Sequence, residues 1–148
     1  VTGVQTCALP ISIIFGLPTM DMSADKWRED LRPAIEASKY RRLLPKTGPG
    51  SREGTGNLSA VKFRNGATLK FMSGGGSDKK RAAFTSRIVI ITETDGLDEI
   101  SLQSVEADKI KQIVARTQAY GDKARIYMEC TVSTETAKTW STYQASTA

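Results

Sequence analysis

The chain has 148 residues, 39% hydrophobic and 25% charged, the size and make-up of about one globular domain. It contains no histidine, which excludes His-based acid–base catalysis, Ser-His triads and most zinc sites. The net charge of +5 is unevenly spread: residues 12–38 carry −2, residues 39–87 carry +10 and residues 88–148 carry −3. No apolar run is long enough for a membrane-spanning helix, so no membrane is expected as a partner. The basic middle third points to a polyanion, either DNA backbone or nucleotide phosphates, against the alternative of a solvated basic surface.

Residues 1–11, VTGVQTCALPI, resemble translated read-through of a sequencing adapter. They lack the charged start, long apolar core and cleavage site of a secretory signal. They are set aside as an artefact; the alternative is a genuine first strand. Cys7 leaves with them, and a lone Cys130 forms no internal disulfide, which fits a reducing setting. The chain is accordingly expected to begin within a longer protein, and its end at Thr147-Ala148 carries no stop signal.

Ser12–Pro18 reads as a short buried strand closed by proline. Ser23 is then suited to cap a helix to about Ser38, with Ala24, Trp27, Leu31 and Ile35 as its buried stripe and Pro33 kinking or breaking it near Arg32. Residues 45–57 form a Gly/Pro/Ser loop with little capacity for a core. A hairpin follows, Leu58–Arg64 with Ala67–Ser73. A three-residue turn, Arg64-Asn65-Gly66 with Gly66 left-handed, pairs Val61 with Leu69 and Phe63 with Ala67 and keeps apolar side chains opposite each other. After a glycine loop at 74–78, Ile88-Val89-Ile90-Ile91 is the strongest strand, and its four β-branched residues imply burial on both faces of a parallel sheet. A helix from about Ser101 to Tyr120 turns Leu102, Val105, Ile110 and Ile113 inward and stops at Gly121. Arg125–Cys130 is a further strand. The alternation is that of an α/β protein.

Chemistry concentrates where the buried strand ends, at Thr92-Glu93-Thr94-Asp95. Ligands of open α/β sheets bind outside the carboxyl ends of the strands, and a carboxylate there suits Mg²⁺ binding or orientation of a water. Glu93 is the candidate; Asp98 and Glu99 more simply serve the dipole of a following helix. Hydroxyls at the exit of the last strand, Thr131 and Ser133, are suited either to phosphate sensing or to capping a turn. Cys130, with no histidine to activate it, is a small hydrophobe. Neither Gly48-Pro49-Gly50-Ser51 nor Gly74-Gly75-Gly76-Ser77 fits the phosphate-loop pattern G-x-x-x-x-G-K-[ST].

Several segments, in order, resemble GpA-like phage terminase large subunits: LPTMD followed by Trp27, GPGSREG, NGATLKFM, RIVIITETDGLDE, ARTQAYG and YMECTVST. The resemblance spans residues 12–148. It implies the central part of an additional-strand P-loop ATPase, a mostly parallel α/β sheet with an inserted β-hairpin, using ATP and Mg²⁺ to drive double-stranded DNA into a procapsid. Glu93 then matches the catalytic glutamate of the Walker B strand. Thr92 stands where a magnesium-associated aspartate is usual, which leaves the Thr92 hydroxyl or Asp95 as candidate substitutes for geometry to decide between; no direct metal ligand is assigned. Thr131 and Ser133 fall in the family's coupling motif. Arg81 and Arg87 are candidates for an arginine acting in trans or for DNA contacts. The resemblance further implies a terminase small subunit and portal as partners, a homo-oligomeric ring and the host cytoplasm. The upstream phosphate loop and downstream nuclease domain lie outside this chain, so the chain alone is expected to be inactive. Two other readings are another additional-strand ATPase, of helicase or transposition type, and a non-catalytic basic DNA-binding module.

Overall fold

A computed structural model of the chain describes residues 11–54, 58–73, 84–94, 109–129 and 138–147. The centre is a five-stranded sheet in the order β2-β3-β1-β4-β5. Its strands are β1 (Ser12–Leu17), β2 (Ala60–Lys62), β3 (Thr68–Ser73), β4 (Ile88–Thr92) and β5 (Arg125–Glu129). β3, β1, β4 and β5 run parallel, and only β2 is antiparallel, as the outer arm of the hairpin. The expected mostly parallel α/β sheet with an inserted hairpin is therefore present.

β4 lies between two parallel neighbours, as its β-branched run requires, with Val89 and Ile91 fully buried. Side chains alternate across the sheet and feed two cores. On one face Phe15, Leu17, Leu69 and Phe71 pack with Trp27, Leu44, Leu58 and Val61; on the other, Ile14, Met72, Val89 and Ile91 pack with Ile110 and Ile113. Each such side chain stabilises the fold by about 1.5–3 kcal/mol through the area it removes from water. β5 forms the far edge, where Ile126, Tyr127 and Met128 are exposed.

The hairpin has the register that apolar pairing favours: Val61 opposes Leu69, and the Phe63 N–H donates to the Ala67 carbonyl at 2.8 Å. Gly66, at φ 86°, supplies the left-handed turn position.

Two expectations are corrected. The first helix starts at Asp21, and Ser23 is not its cap. Fully buried, Ser23 places its hydroxyl between the carbonyls of Met20 (2.6 Å) and Leu58 (2.8 Å), tying the helix to the hairpin. Nor does Pro33 break the helix. α1 (Asp21–Asp25) passes into a π-helical stretch, Lys26–Leu31, and continues as α2 (Arg32–Glu36). The Arg32 N–H reaches back to the Trp27 carbonyl, so the turn is widened just before the proline and the helix carries on past it.

The glycine-rich loop adds no residue to either apolar cluster, as expected, but is pinned against the core at the buried Gly50. The Gly50 carbonyl accepts from Trp27 Nε1 at 3.1 Å and from an Arg32 guanidinium nitrogen at 2.6 Å. A Cβ on Gly50 would lie 2.7 Å from a Val61 methyl, and its φ is +84°, so glycine is required twice over. The second correction is the later helix. α3 (Lys109–Ala115) buries Ile110 and Ile113 as expected but ends before Tyr120. There Thr117, buried, turns its hydroxyl back to the Val114 carbonyl at 2.8 Å, and Gln118–Lys123 continues as a 3₁₀ turn containing Gly121 at φ 51°. Leu102 and Val105 lie outside the described residues. α4 (Lys138–Thr147) closes the described chain.

Candidate active site

The four parallel strands end on one rim of the sheet, and β4 delivers Thr92 and Glu93 there. Thr92 is buried as the last residue of the strand, and Glu93 is exposed immediately beyond it. Glu93 has φ 54°, the one positive value for a non-glycine among the described residues. A left-handed backbone costs such a residue about 1–2 kcal/mol. Strain of this kind persists where the surroundings hold the residue for a task. Here a tight turn out of a buried strand throws the carboxylate into a cleft of about 230 Å³. Leu17 from β1 and Met22, Asp25, Lys26, Glu29 and Asp30 from the first helix form its other walls.

Parallel register places Thr92 beside Glu129 at the end of β5. The Thr92 hydroxyl donates to Glu129 Oε2 at 2.7 Å, and the Thr94 hydroxyl lies 3.4 Å from the Glu129 carbonyl. Thr92 thus holds Glu129 on the neighbouring strand, while its chain neighbour Glu93 lines the cleft, and both carboxylates act on Lys26. Lys26 supplies the countercharge. Its ammonium lies 2.7 Å from Asp30, and that hydrogen bond chiefly raises its pKa above the ordinary 10.5, with the charges of Asp30, Glu129 and Glu93 adding to it. Lys26 therefore stays protonated at neutral pH.

The structure brings Thr92 and Glu93 together. Arg87 stands just before β4, at the opposite end of the strand, where its Nε donates to the Lys123 carbonyl at 3.1 Å. It is therefore not joined to Glu93 within this chain. Asp95, Thr131, Ser133 and Arg81 lie outside the described residues. Glu129 is the residue that sequence reasoning passed over. The usable signal was an acidic residue closing Arg125–Glu129, a strand of five residues like Ile88–Thr92, which parallel register sets against Thr92.

The oxygens of Glu93, Glu129 and Thr92 suit a hard cation such as Mg²⁺, which is held largely through waters and substrate phosphates. No three His, Cys, Asp or Glu side chains among the described residues form a metal cage of their own. The GPGS loop is no phosphate cradle, because its Gly50 carbonyl faces Trp27 and Arg32 and its glycine Cα faces Val61.

A mostly parallel α/β sheet in which a buried strand, flanked by parallel neighbours, ends in a carboxylate at a cleft on its carboxyl rim has the architecture of a P-loop-type ATPase domain. The chain matches, over residues 1–148, the family described as phage terminase large subunit gpA, ATPase domain, and it belongs to that family. No curated protein and no solved structure matches it. At family level this makes it a terminase-type ATPase of phage DNA packaging, with the nucleotide use that implies. No helix among the described residues is long and apolar enough to cross a membrane.

Proposed function

We propose that residues 12–148 are the catalytic middle of a packaging motor that couples ATP hydrolysis to translocation of double-stranded DNA. The observation that supports this reading is the strained backbone at Glu93, the residue that follows buried strand β4 and lines the cleft. In the reaction Glu93 orients a water and accepts its proton as the water oxygen bonds to the γ-phosphorus. The bond to the β-phosphate oxygen breaks, releasing ADP and phosphate.

Glu129 joins Asp95 as a candidate for the acid missing at the Thr92 position. Its carboxylate accepts from the Thr92 hydroxyl, and together with Glu93 it would hold Mg²⁺, which would supply charge neutralisation for the phosphates. Thr131 and Ser133 follow directly on β5 and link phosphate state to motion. Arg81 and Arg87 remain candidates for an arginine acting in trans or for DNA contacts. The phosphate loop and a nuclease domain are supplied by parts of the protein outside this chain, and residues 1–11 derive from adapter sequence; recovery of the uninterrupted gene tests both. The working assembly is a ring in the host cytoplasm, with a small subunit and portal as partners.

In the full-length subunit, Glu93→Gln is expected to keep nucleotide binding and to lose turnover by about 10²-fold or more, the scale of a general base. Unchanged hydrolysis would exclude the role. In the same assay Glu129→Gln should raise the Mg²⁺ concentration needed for half-maximal turnover; an unaltered requirement removes Glu129 from the site. The 148-residue chain alone should not hydrolyse ATP, and Glu93-dependent hydrolysis by it would show that no further phosphate-binding part is needed.

A further inference from the structure

A second cavity lies away from Glu93. It encloses about 550 Å³ and is lined by six basic side chains, Arg32, Arg41, Arg42, Lys46, Arg52 and Arg64, against two acidic ones, Glu36 and Glu53. Three separate segments build it: the end of the first helix, the loop at 41–53 and the hairpin turn. The Arg64 N–H donates to the Leu43 carbonyl at 2.9 Å, and the Arg64 guanidinium donates to the Arg42 carbonyl at 3.1 Å, so the hairpin turn is docked on the loop. That turn precedes β3, whose first residue Thr68 pairs with Ser12 at the start of β1. The cavity therefore sits at the amino-terminal end of the strands. Glu93 sits at the other end, about 16 Å away by strand rise over six residues.

The charges inside are unequal in their commitments. Arg32 and Arg52 share Glu36, at 3.0 and 3.2 Å. Arg41, Arg42 and Lys46 have no acidic partner among the described residues, although like charges this close repel one another. No aromatic ring lines the cavity, so nothing there would stack on a base. Its donors are mainly guanidinium forks, which match the paired oxygens of phosphate groups. An open, multi-phosphate, base-indifferent ligand fits these features, and a single nucleotide does not.

We propose that this arginine cleft binds the phosphate backbone of double-stranded DNA without regard to sequence, through Arg41, Arg42, Lys46 and Arg64. The proposal is independent of the hydrolytic role of Glu93. DNA then engages the end of the sheet opposite the reaction cleft.

The test uses the 148-residue chain, fluorescein-labelled 20-base-pair duplexes of two unrelated sequences, and anisotropy titrations over a range of salt concentrations. Both duplexes should bind equally, and log affinity should fall linearly with log salt. Arg41→Ala/Arg42→Ala should flatten that slope by about 2, close to one for each phosphate left without its arginine. Both side chains are exposed, and the Arg42 carbonyl that holds Arg64 is retained, so the fold should survive; an unshifted thermal midpoint checks this. Arg41→Lys/Arg42→Lys should restore the slope, while Lys123→Ala, an exposed residue outside the cleft, should leave it at the wild-type value. Absence of duplex binding, an unchanged slope in the double alanine variant, or an equal flattening in Lys123→Ala would each overturn the proposal. So would displacement of the duplex by stoichiometric ATP or tripolyphosphate, which would make free phosphates the ligand.

Discussion

Glu93 concentrates the tension between stability and function in a single φ angle. Placing a non-glycine residue in the left-handed region costs folding free energy, and its exposed side chain returns little by packing. The ordering of two truncations isolates that cost. Glu93→Ala and Glu93→Gly both remove the carboxylate and differ only in the backbone they allow. At an ordinary strand or helix position alanine is the more stable by about 0.5–1 kcal/mol. Here glycine should be the more stable, by about 1 kcal/mol, in urea denaturation of the 148-residue chain. An alanine variant as stable as the glycine one would mean that the turn carries no strain, and would take away the main structural argument for Glu93.

At the scale of elements, what was legible in the sequence and what was not separate along a physical line. The hairpin register could be read because turn chemistry and apolar pairing are local and agree, and β4 could be read because four β-branched residues permit little else. The first helix was half legible. Its apolar spacing correctly marks Trp27 as buried, but the π-helical stretch that carries the chain past Pro33 is set by how Trp27 and Arg32 reach the Gly50 carbonyl, a contact 18 to 23 residues away. Glu129 was illegible alone because its meaning comes from a neighbouring strand. Glu36 shows the same dependence. Hydrogen bonds from Arg52 and then Arg32 hold its carboxyl below the ordinary 4.5, linking the helix end to the loop. A carboxyl with a lowered folded-state pKa stabilises the fold above its unfolded value and loses that contribution as pH falls through the folded one. Glu36→Gln should thus be less stable than wild type near neutral pH, and the two midpoints should converge as the pH is taken well below 4.5. A gap that stays constant over that range would show that the ion pairs contribute nothing.

Across the whole molecule, the sheet separates two charge environments and two cores. The rim with Glu93 gathers carboxylates around Lys26, and the opposite end gathers the arginines, which lets one domain hold a nucleotide-facing chemistry apart from a polyanion-facing surface. The cores are divided just as sharply, Phe71 lying on the helix-one face and Ile113 on the other. Facing layers packed on a sheet stand about 10 Å apart, and sites without shared partners usually combine additively. Phe71→Leu and Ile113→Val each delete buried apolar volume with little change of shape and should each cost about 1 kcal/mol. Both draw on the same sheet, so unfolding should remain a single transition, and the double variant should lose the sum of the two within about 0.5 kcal/mol. The measurement is a urea-denaturation cycle of the four chains. A coupling energy above about 1 kcal/mol would show that strain passes through the sheet from one face to the other. The cleft and the arginine surface could not then be treated as mechanically separate ends of one domain.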